Sequence, residues 1–409
     1  MRGPATLRLD GAGAAAARQL MLGLALCLAA RCAGAQDSVQ VTFSGFGTAA
    51  LTMSDTDQAE FGWPTQAAGV KKAPRSGVDS NLGVQVTAAS GNWSLTAQGL
   101  TRKFVLDRYG EELSWAYAKL KLGDDVSVRV GRLGMPVYMV SDARNIGYAF
   151  TMLRTPIEMY RQVQIDHVDG ADLLYQRRAG ATTFKLQVLA GASAVHNVDG
   201  STGHFQRLRE FKLVAERGPV TFSLARLDTV FSVPDNVLLN SVVDGLIAAG
   251  YPRQAELVRV RDTHGAFTSA GFELDWHGWL VQSELGRRQT DARSVMDTTA
   301  YYLMLGYQLG PFTPYYTYST VAQNSPRGFA ELPTSGAQAG LVALANAVTK
   351  TGQQSTNTIG LRWDFNKSAA LKLQLDRIMP RDGAGSFIKA APGFKGPVTV
   401  YAAGIDFLF

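Results

Sequence analysis

Cysteine is almost absent from the sequence, since the 409 residues contain only Cys27 and Cys32. Both precede Ala35, after which we expect a secretory signal peptide to be cleaved, and neither follows the small residue that a lipid-modified cysteine needs. A mature chain that begins at Gln36 therefore has no disulfide, thiolate nucleophile or cysteine metal ligand.

The signal peptide is predicted from three features of the first 35 residues. Arg2, Arg8 and Arg18 precede the apolar run at positions 20–30, and the small residues "AGA" stand at positions 33–35. The run is shorter than the roughly 20 residues that an anchoring helix needs to cross a bilayer. We therefore expect residues 1–35 to be removed on export.

Long apolar runs are also missing after position 35, although hydrophobic residues make up 46% of the chain and charged residues only 18%. This combination excludes a helical membrane protein and a disordered chain. The formal net charge is +6, half of it from residues 1–35, so the sequence excludes a nucleic-acid-binding surface. No Pro/Ser-rich linker interrupts residues 36–409, which we predict to form one domain.

Catalytic and metal-binding motifs are lacking as well. His167, His196, His204, His264 and His277 have no metal-ligand spacing, and "GFGTAA" at positions 45–50 lies inside a predicted strand. The sequence predicts a protein without enzymatic activity, metal or cofactor. An outer-wall Ser/His pair that hydrolyses lipid is kept as a minor alternative, although no such pair is suggested.

Alternation of apolar and polar residues is the dominant pattern. In "NLGVQVTAAS", Leu82, Val84 and Val86 alternate with smaller or polar residues, as expected for a strand with one apolar face. Sixteen such segments are found, beginning near residues 39, 81, 92, 111, 125, 170, 181, 208, 219, 266, 278, 299, 311, 355, 368 and 397.

The connections between these segments alternate in length. Those on the side of the N-terminus, called lower here, are short turns around residues such as Gly180 and Gly310, whereas most upper ones are long. Strict alternation over an even number of strands is typical of a transmembrane up-and-down β-barrel. In hydrocarbon a sheet must close to pair every backbone group, so the last strand must bond to the first.

Aromatic residues stand where the membrane interfaces are expected. The chain ends "YAAGIDFLF", which places Tyr401, Phe407 and Phe409 on one face of the last strand, and the motifs "WHGW" and "WDFN" flank two lower turns. Outer-membrane barrels carry aromatic girdles at these levels.

The motifs "VTFSGFGTAAL" and "VSVRVGRLGMPVY" and the terminal phenylalanine together resemble the sixteen-stranded Gram-negative outer-membrane porins. The resemblance covers the whole mature chain. It implies an outer-membrane homotrimer in contact with lipid and lipopolysaccharide, and passive diffusion of small hydrophilic solutes and ions. It also implies that the outer-membrane insertion machinery recognises the last strand, with Tyr401, Phe407 and Phe409 as the assembly signal.

In that family the third long loop folds inward and narrows the pore, and the matching loop here runs between Leu133 and Asp169. It carries acids and arginines in alternation, which would set up a transverse field in a constriction. The candidate constriction residues are Asp142, Arg144, Arg154, Glu158, Arg161, Asp166 and Asp169.

Strand parity predicts which charged residues face the lumen. The candidate cations are Lys119, Lys121, Arg129, Lys185, Lys212, Arg362 and Lys372, and the candidate acids are Glu216, Glu273, Asp275, Glu284, Asp364, Asp376 and Asp406. Such a balance of charge predicts a water-filled channel. Arg132 and Arg226 lie near strand ends, so parity leaves their facing open.

The sequence thus predicts a passive porin, with an adhesin or receptor that uses the long upper loops as the alternative. One of these loops contains "VLLNSVVDGLIAAG" at positions 237–250, where Leu238, Val242 and Leu246 have the spacing of a helix that packs on the barrel rim.

Overall fold

A computed structural model describes residues 39–105 and 107–409, and residues 1–35, the predicted signal peptide, lie outside the described residues. Sixteen strands account for most of the described chain. They are β1 (Gln40–Ser54), β2 (Asn81–Ser90), β3 (Trp93–Lys103), β4 (Tyr109–Lys121), β5 (Val126–Gly134), β6 (His167–Ala179), β7 (Thr182–His196), β8 (Thr202–Arg217), β9 (Val220–Ser232), β10 (Thr263–Trp276), β11 (Trp279–Thr290), β12 (Thr298–Tyr307), β13 (Phe312–Gln323), β14 (Gln353–Asn366), β15 (Ala369–Asp382) and β16 (Val398–Leu408).

Every strand pairs antiparallel with its neighbours in sequence, and β1 pairs with β16, so the sheet is a closed barrel. The predicted all-β fold class is confirmed. The terminal residue takes part in the closure, since the Gly45 amide donates to the Phe409 carbonyl at 2.7 Å and the Phe409 amide donates to the Gly45 carbonyl at 3.0 Å. The apolar C-terminus is therefore held in the barrel seam.

Fifteen strands begin within three residues of the predicted position, and the exception is β8, which begins at Thr202 instead of near residue 208. The pairing of β8 with β9 shifts register between Gln206 and Arg209, and Arg207 has a φ of 50°. A bulge of this kind inserts an unpaired residue and interrupts the alternation by which strands are recognised.

The two faces of the barrel wall differ in chemistry. Ile359 and Leu373 are 56% and 46% exposed on the outer face, whereas the adjacent Thr358 and Lys372 are only 5% and 0% exposed on the inner face. Exposed leucine, valine and isoleucine side chains recur along the outer face of the other strands. This is the arrangement that a barrel needs in lipid, where the outer face meets hydrocarbon.

Aromatic side chains lie on the outer face beside the short turns, as predicted. Trp276 and Trp279 flank the turn between β10 and β11, and the Trp279 ring packs edge-on against Tyr307 with centroids 4.9 Å apart. At the end of β14, Trp363 stacks on Phe312 at 5.8 Å. These rings form a girdle at the lower edge of the apolar band.

Arg132 and Arg226, whose facing strand parity left open, both lie on the outer face, Arg132 near the upper end of β5 and Arg226 at the middle of β9. Arg132 makes two hydrogen bonds of 2.8 Å to Asp169, and Arg226 bonds to Asp228 at 2.7 and 2.9 Å. Since a lone charge in hydrocarbon is costly, paired charges here define the upper edge of the apolar band.

Helices occur only in upper loops of the described chain. They are α1 (Ile157–Tyr160), α2 (Val237–Ala248), α3 (Pro252–Val258) and α4 (Ala339–Val348). Helix α2 is capped by Asn236, whose side chain accepts from the Leu239 amide at 2.9 Å. The helix predicted at positions 237–250 is confirmed, but Leu238 is 52% exposed, so its predicted packing is wrong: Val242 and Leu246 pack instead against residues of α3 and α4.

Candidate functional site

The third loop, residues 135–166, packs against the inner face of the barrel wall. Its Met152, Met159 and Val163 are buried in one cluster with Phe267 of β10 and Tyr302 of β12. Phe267 and Tyr302 alternate with more exposed neighbours along their strands, so the loop makes these contacts at the inner face of β10 and β12.

Arg154 attaches the loop to two other parts of the barrel. Its guanidinium bonds to Asp79, in the first upper loop, through Nε at 2.7 Å and through Nη2, and to Asp376 of β15 through Nη1 at 2.7 Å. The three side chains are 3%, 4% and 6% exposed. Burial alone would lower the pKa of Arg154, but the two carboxylates raise that pKa above its ordinary value.

Glu158, in helix α1, forms a second attachment. Its carboxylate accepts from Ser319 at 2.7 Å, and from Gln354 and Thr356 at 2.5 Å each. These donors lie on β13 and β14, and Glu158 is only 1% exposed. The carboxylate is thus held by three neutral donors and fixes the loop to the wall.

A third cluster joins the end of the loop to β3 and β4. Asp166 binds Arg144 within the loop and Arg102 of β3, the latter at 2.5 Å, and Arg102 also lies 3.4 Å from Glu112 of β4. Burial would raise the pKa of Asp166, but Arg144 and Arg102 hold that pKa below its usual range. Asp166 therefore bridges two guanidinium groups.

Two of the predicted wall cations bind the loop instead of facing open space. Lys372 has 0% side-chain exposure, lies 2.7 Å from Asp406 and donates to the carbonyls of Gly147 and Met152 at 2.7 and 3.0 Å. Arg362 donates to the carbonyls of Tyr148 and Phe150. Both side chains thus lie on the inner face and bond to backbone carbonyls of the loop, and the water-filled channel stays a prediction.

The other three wall candidates lie below the loop on the opposite side. Lys119 and Lys121 of β4 line a cavity of about 790 Å³, called the lower vestibule here, which opens beside the short turns. Arg129 of β5 forms an ion pair with the buried Asp172 of β6. All five wall candidates lie on the inner face, and their part in conduction stays a prediction.

Asp169 is separated from the other candidate constriction residues. Strand β6 begins at His167, and Asp169 lies on the same exposed outer face as Leu173, paired with Arg132. Its predicted place in a constriction is wrong, because the loop ends earlier than the charge pattern indicated. Asp142 lies in a 3-10 turn, Ser141–Ala143, and its side chain is outside the described part.

A cavity of about 150 Å³, called the upper cavity here, lies between the first upper loop and the third loop. Arg144, Arg154, Arg161 and Asp166 contribute to its lining, so the structure brings four candidate residues together at one place. Glu158 lies apart from this lining, on the β13–β14 side.

The three assembly-signal candidates lie on the outer face of β16. Tyr401 and Phe409 are exposed, and the Phe407 and Phe409 rings stack with centroids 6.3 Å apart. The recognition role proposed for them stays a prediction.

No protein-family model and no curated protein matches the sequence. Solved structures do match: outer-membrane expressed OmpT of Vibrio cholerae has a TM-score of 0.54 at 12% identity, over 92% of this chain and 99% of that chain. The outer membrane channel DcaP of Acinetobacter baumannii gives 0.53 at 12% identity, over 91% and 98% of the two chains. OprB of Pseudomonas putida gives a TM-score of 0.51 at 10% identity, over 90% of this chain and 94% of that chain. The chain has the barrel fold of outer-membrane channels.

Several residues of this barrel that bond to the loop were not among the sequence candidates. Asp79 and Arg102 are the main ones, and both line the upper cavity. Arg102 could have been found by parity, since it alternates with the outward Trp93, Leu95 and Ala97 of β3. Asp79 lies in an upper loop, where no periodic pattern indicates facing.

Within residues 39–105 and 107–409, no helix is long and apolar enough to cross a membrane. The same residues contain no group of three or more His, Cys, Asp or Glu side chains placed to hold a metal ion.

Proposed function

We propose that the protein is an outer-membrane channel through which small hydrophilic solutes and ions diffuse passively. The observation that carries this proposal is the closed barrel whose outer face is apolar while its inner face carries charged side chains. A sheet of this kind satisfies its backbone in lipid and keeps its charges away from hydrocarbon.

The third loop is the proposed constriction. Supporting this, its contacts reach β8 through Lys212, whose Nζ donates to the Tyr138 carbonyl at 2.6 Å, and β15 through Lys372. These strands are seven places apart in the closed sheet of sixteen strands, almost half of its circumference, so a loop bound to both would cross the path and narrow it.

We further propose that the chain is exported by its signal peptide, inserted by the outer-membrane machinery and assembled as a homotrimer in contact with lipid and lipopolysaccharide. The similarity to OmpT of Vibrio cholerae supports the trimer, because a structure of that protein is described as its trimer form. No catalytic activity is assigned to the barrel.

A receptor or adhesin is the second candidate, favoured by the helices of the upper loops. Helices α2 and α4 come from different loops and share a buried cluster that includes Val242, Leu246 and Val342. Val237 at the start of α2 is 80% exposed, so the helices also offer apolar surface to a partner. A receptor of this kind would not need an open path.

Planar-bilayer recording of the refolded full chain distinguishes these candidates. A passive channel should give stable current steps that are linear in voltage, and a trimer should give steps in groups of three. A membrane that stays electrically silent while the protein inserts would exclude the channel and favour the receptor.

A further inference from the structure

The upper cavity carries an excess of positive charge. Its cationic lining residues are Arg102, Lys103, Arg144, Arg154 and Arg161, and its carboxylates are Asp79 and Asp166. The lower vestibule differs, because its four lysines face four carboxylates. Of these two cavities, only the upper one therefore has an excess of positive charge in its lining.

Four of these five cations already have carboxylate partners. Arg154 binds Asp79, whereas Arg102 and Arg144 share Asp166. Lys103 lies 3.1 Å from Asp107, outside the cavity lining. The remaining cation is Arg161, which has no carboxylate within 4 Å in the described part of the chain.

Arg161 is only partly satisfied by neutral groups. Its Nη2 donates to Thr351 at 3.2 Å, while its buried Nη1 has no hydrogen-bond partner among the described residues. The nearby Glu158 is occupied by three other donors. Burial lowers the pKa of Arg161, and Glu158 offsets this only in part.

A second guanidinium without a carboxylate partner lies behind Arg161. Arg288 of β11 donates to the carbonyl of Gln162, the residue after Arg161, at 3.0 Å, and to the carbonyl of Met296 at 2.9 and 3.1 Å. It has no ion pair in residues 39–105 and 107–409. The positive charges of Arg161 and Arg288, together with the unpaired Nη1 donor of Arg161, favour the binding of an anion beside Arg161.

We propose that the upper cavity binds a compact oxyanion, a carboxylate or phosphate group, with Arg161 as its principal donor. The volume of about 150 Å³ admits such a group but not a bulky solute in full. This inference rests on the proposed channel and adds its preferred solute class: small anions enter the constriction more readily than cations of equal size.

The test uses the full chain in planar bilayers with chloride as the current carrier, and inorganic phosphate and malonate as probes. Each probe should reduce the chloride current in a saturable manner. In Arg161→Gln the half-blocking concentration should rise about tenfold or more, as expected for the loss of a charged hydrogen bond. Arg161→Lys should restore part of the block, because it keeps the charge.

Arg253→Gln is the matched control, since it removes the same charge from an exposed position in α3. It should leave the block unchanged. Block by phosphate alone would assign the site to phosphate, and block by both probes to oxyanions generally. Equal half-blocking concentrations in the wild type and Arg161→Gln would overturn the site while leaving the channel intact.

Calorimetric titration of phosphate into the detergent-folded wild type and Arg161→Gln separates the site from the channel. Saturable binding that only the wild type shows supports the site even if no current is seen. Phosphate binding that is equal in the wild type and Arg161→Gln, or absent from the two proteins, contradicts the proposed site.

Discussion

Leu213→Arg is expected to lower the free energy of unfolding by about 2–4 kcal/mol, because it places a charge on the lipid-facing surface near the middle of the apolar band. Leu213 lies in β8, between Leu186 of β7 and Leu224 of β9 in register. Leu224 is 47% exposed on the same outer face. Reversible unfolding in lipid vesicles measures the difference.

The adjacent residue supplies a matched control. Val214 lies on the opposite face of β8 and lines the lower vestibule of about 790 Å³. Val214→Arg should therefore fold with a stability close to that of the wild type and change the conductance instead. Equal stability losses in the two variants would mean that the inner and outer faces have been assigned wrongly.

Arg154→Leu should have the largest effect among the loop residues. The substitution leaves Asp79 and Asp376 without their shared cation in a site where all three side chains are nearly buried. Breaking a buried ion pair on one side costs about 3–5 kcal/mol, because a buried charge loses its partner. The loop should lose its contact with Asp376 while Lys372 still holds it at Gly147 and Met152, so we expect both a lower unfolding free energy and a higher single-channel conductance.

Arg259→Leu removes a partly exposed arginine and is the control for this variant. Arg259 lies 3.0 Å from Glu256, and the two side chains are 28% and 68% exposed. Exposed pairs of this kind contribute about 0–1 kcal/mol. An unchanged conductance in Arg154→Leu, together with a stability loss no larger than that of Arg259→Leu, would contradict the anchoring role of Arg154.

The barrel could be predicted from the sequence because the alternation within each strand shows which side chains face outward and which face inward. A strand between lipid and a polar inner face repeats every two residues, and an up-and-down barrel pairs strands in chain order. Local pattern and global topology therefore coincide, even for the closure at Phe409. The prediction failed at β8, where the bulge near Arg207 removes the pattern over a few residues.

The loop contacts could not be predicted in the same way. Arg154 and Asp376 are 222 residues apart, and Lys372 and Gly147 are 225 apart. No periodicity links such pairs, because the path of an irregular loop depends on how its side chains fill the space inside the barrel. Strand parity therefore predicted that Lys372 faces inward but could not predict that it is buried against the loop.

The position of Asp169 could not be predicted from the sequence either. Its charge continued the alternation of the loop, but β6 begins two residues before it and turns the side chain outward. The position at which β6 begins determines whether Asp169 faces inward or outward. The sequence near this boundary does not indicate where the strand begins, so the direction of a charged side chain there could not be predicted.

Solute diffusion itself tests the central claim most directly. Liposomes that contain the purified full chain should swell when diluted into uncharged sugars of increasing size, at rates that fall steadily as the sugar grows. This result is predicted for a passive, water-filled path narrowed by the third loop. Swelling no faster than that of protein-free liposomes, for even the smallest sugar, would contradict the proposed channel.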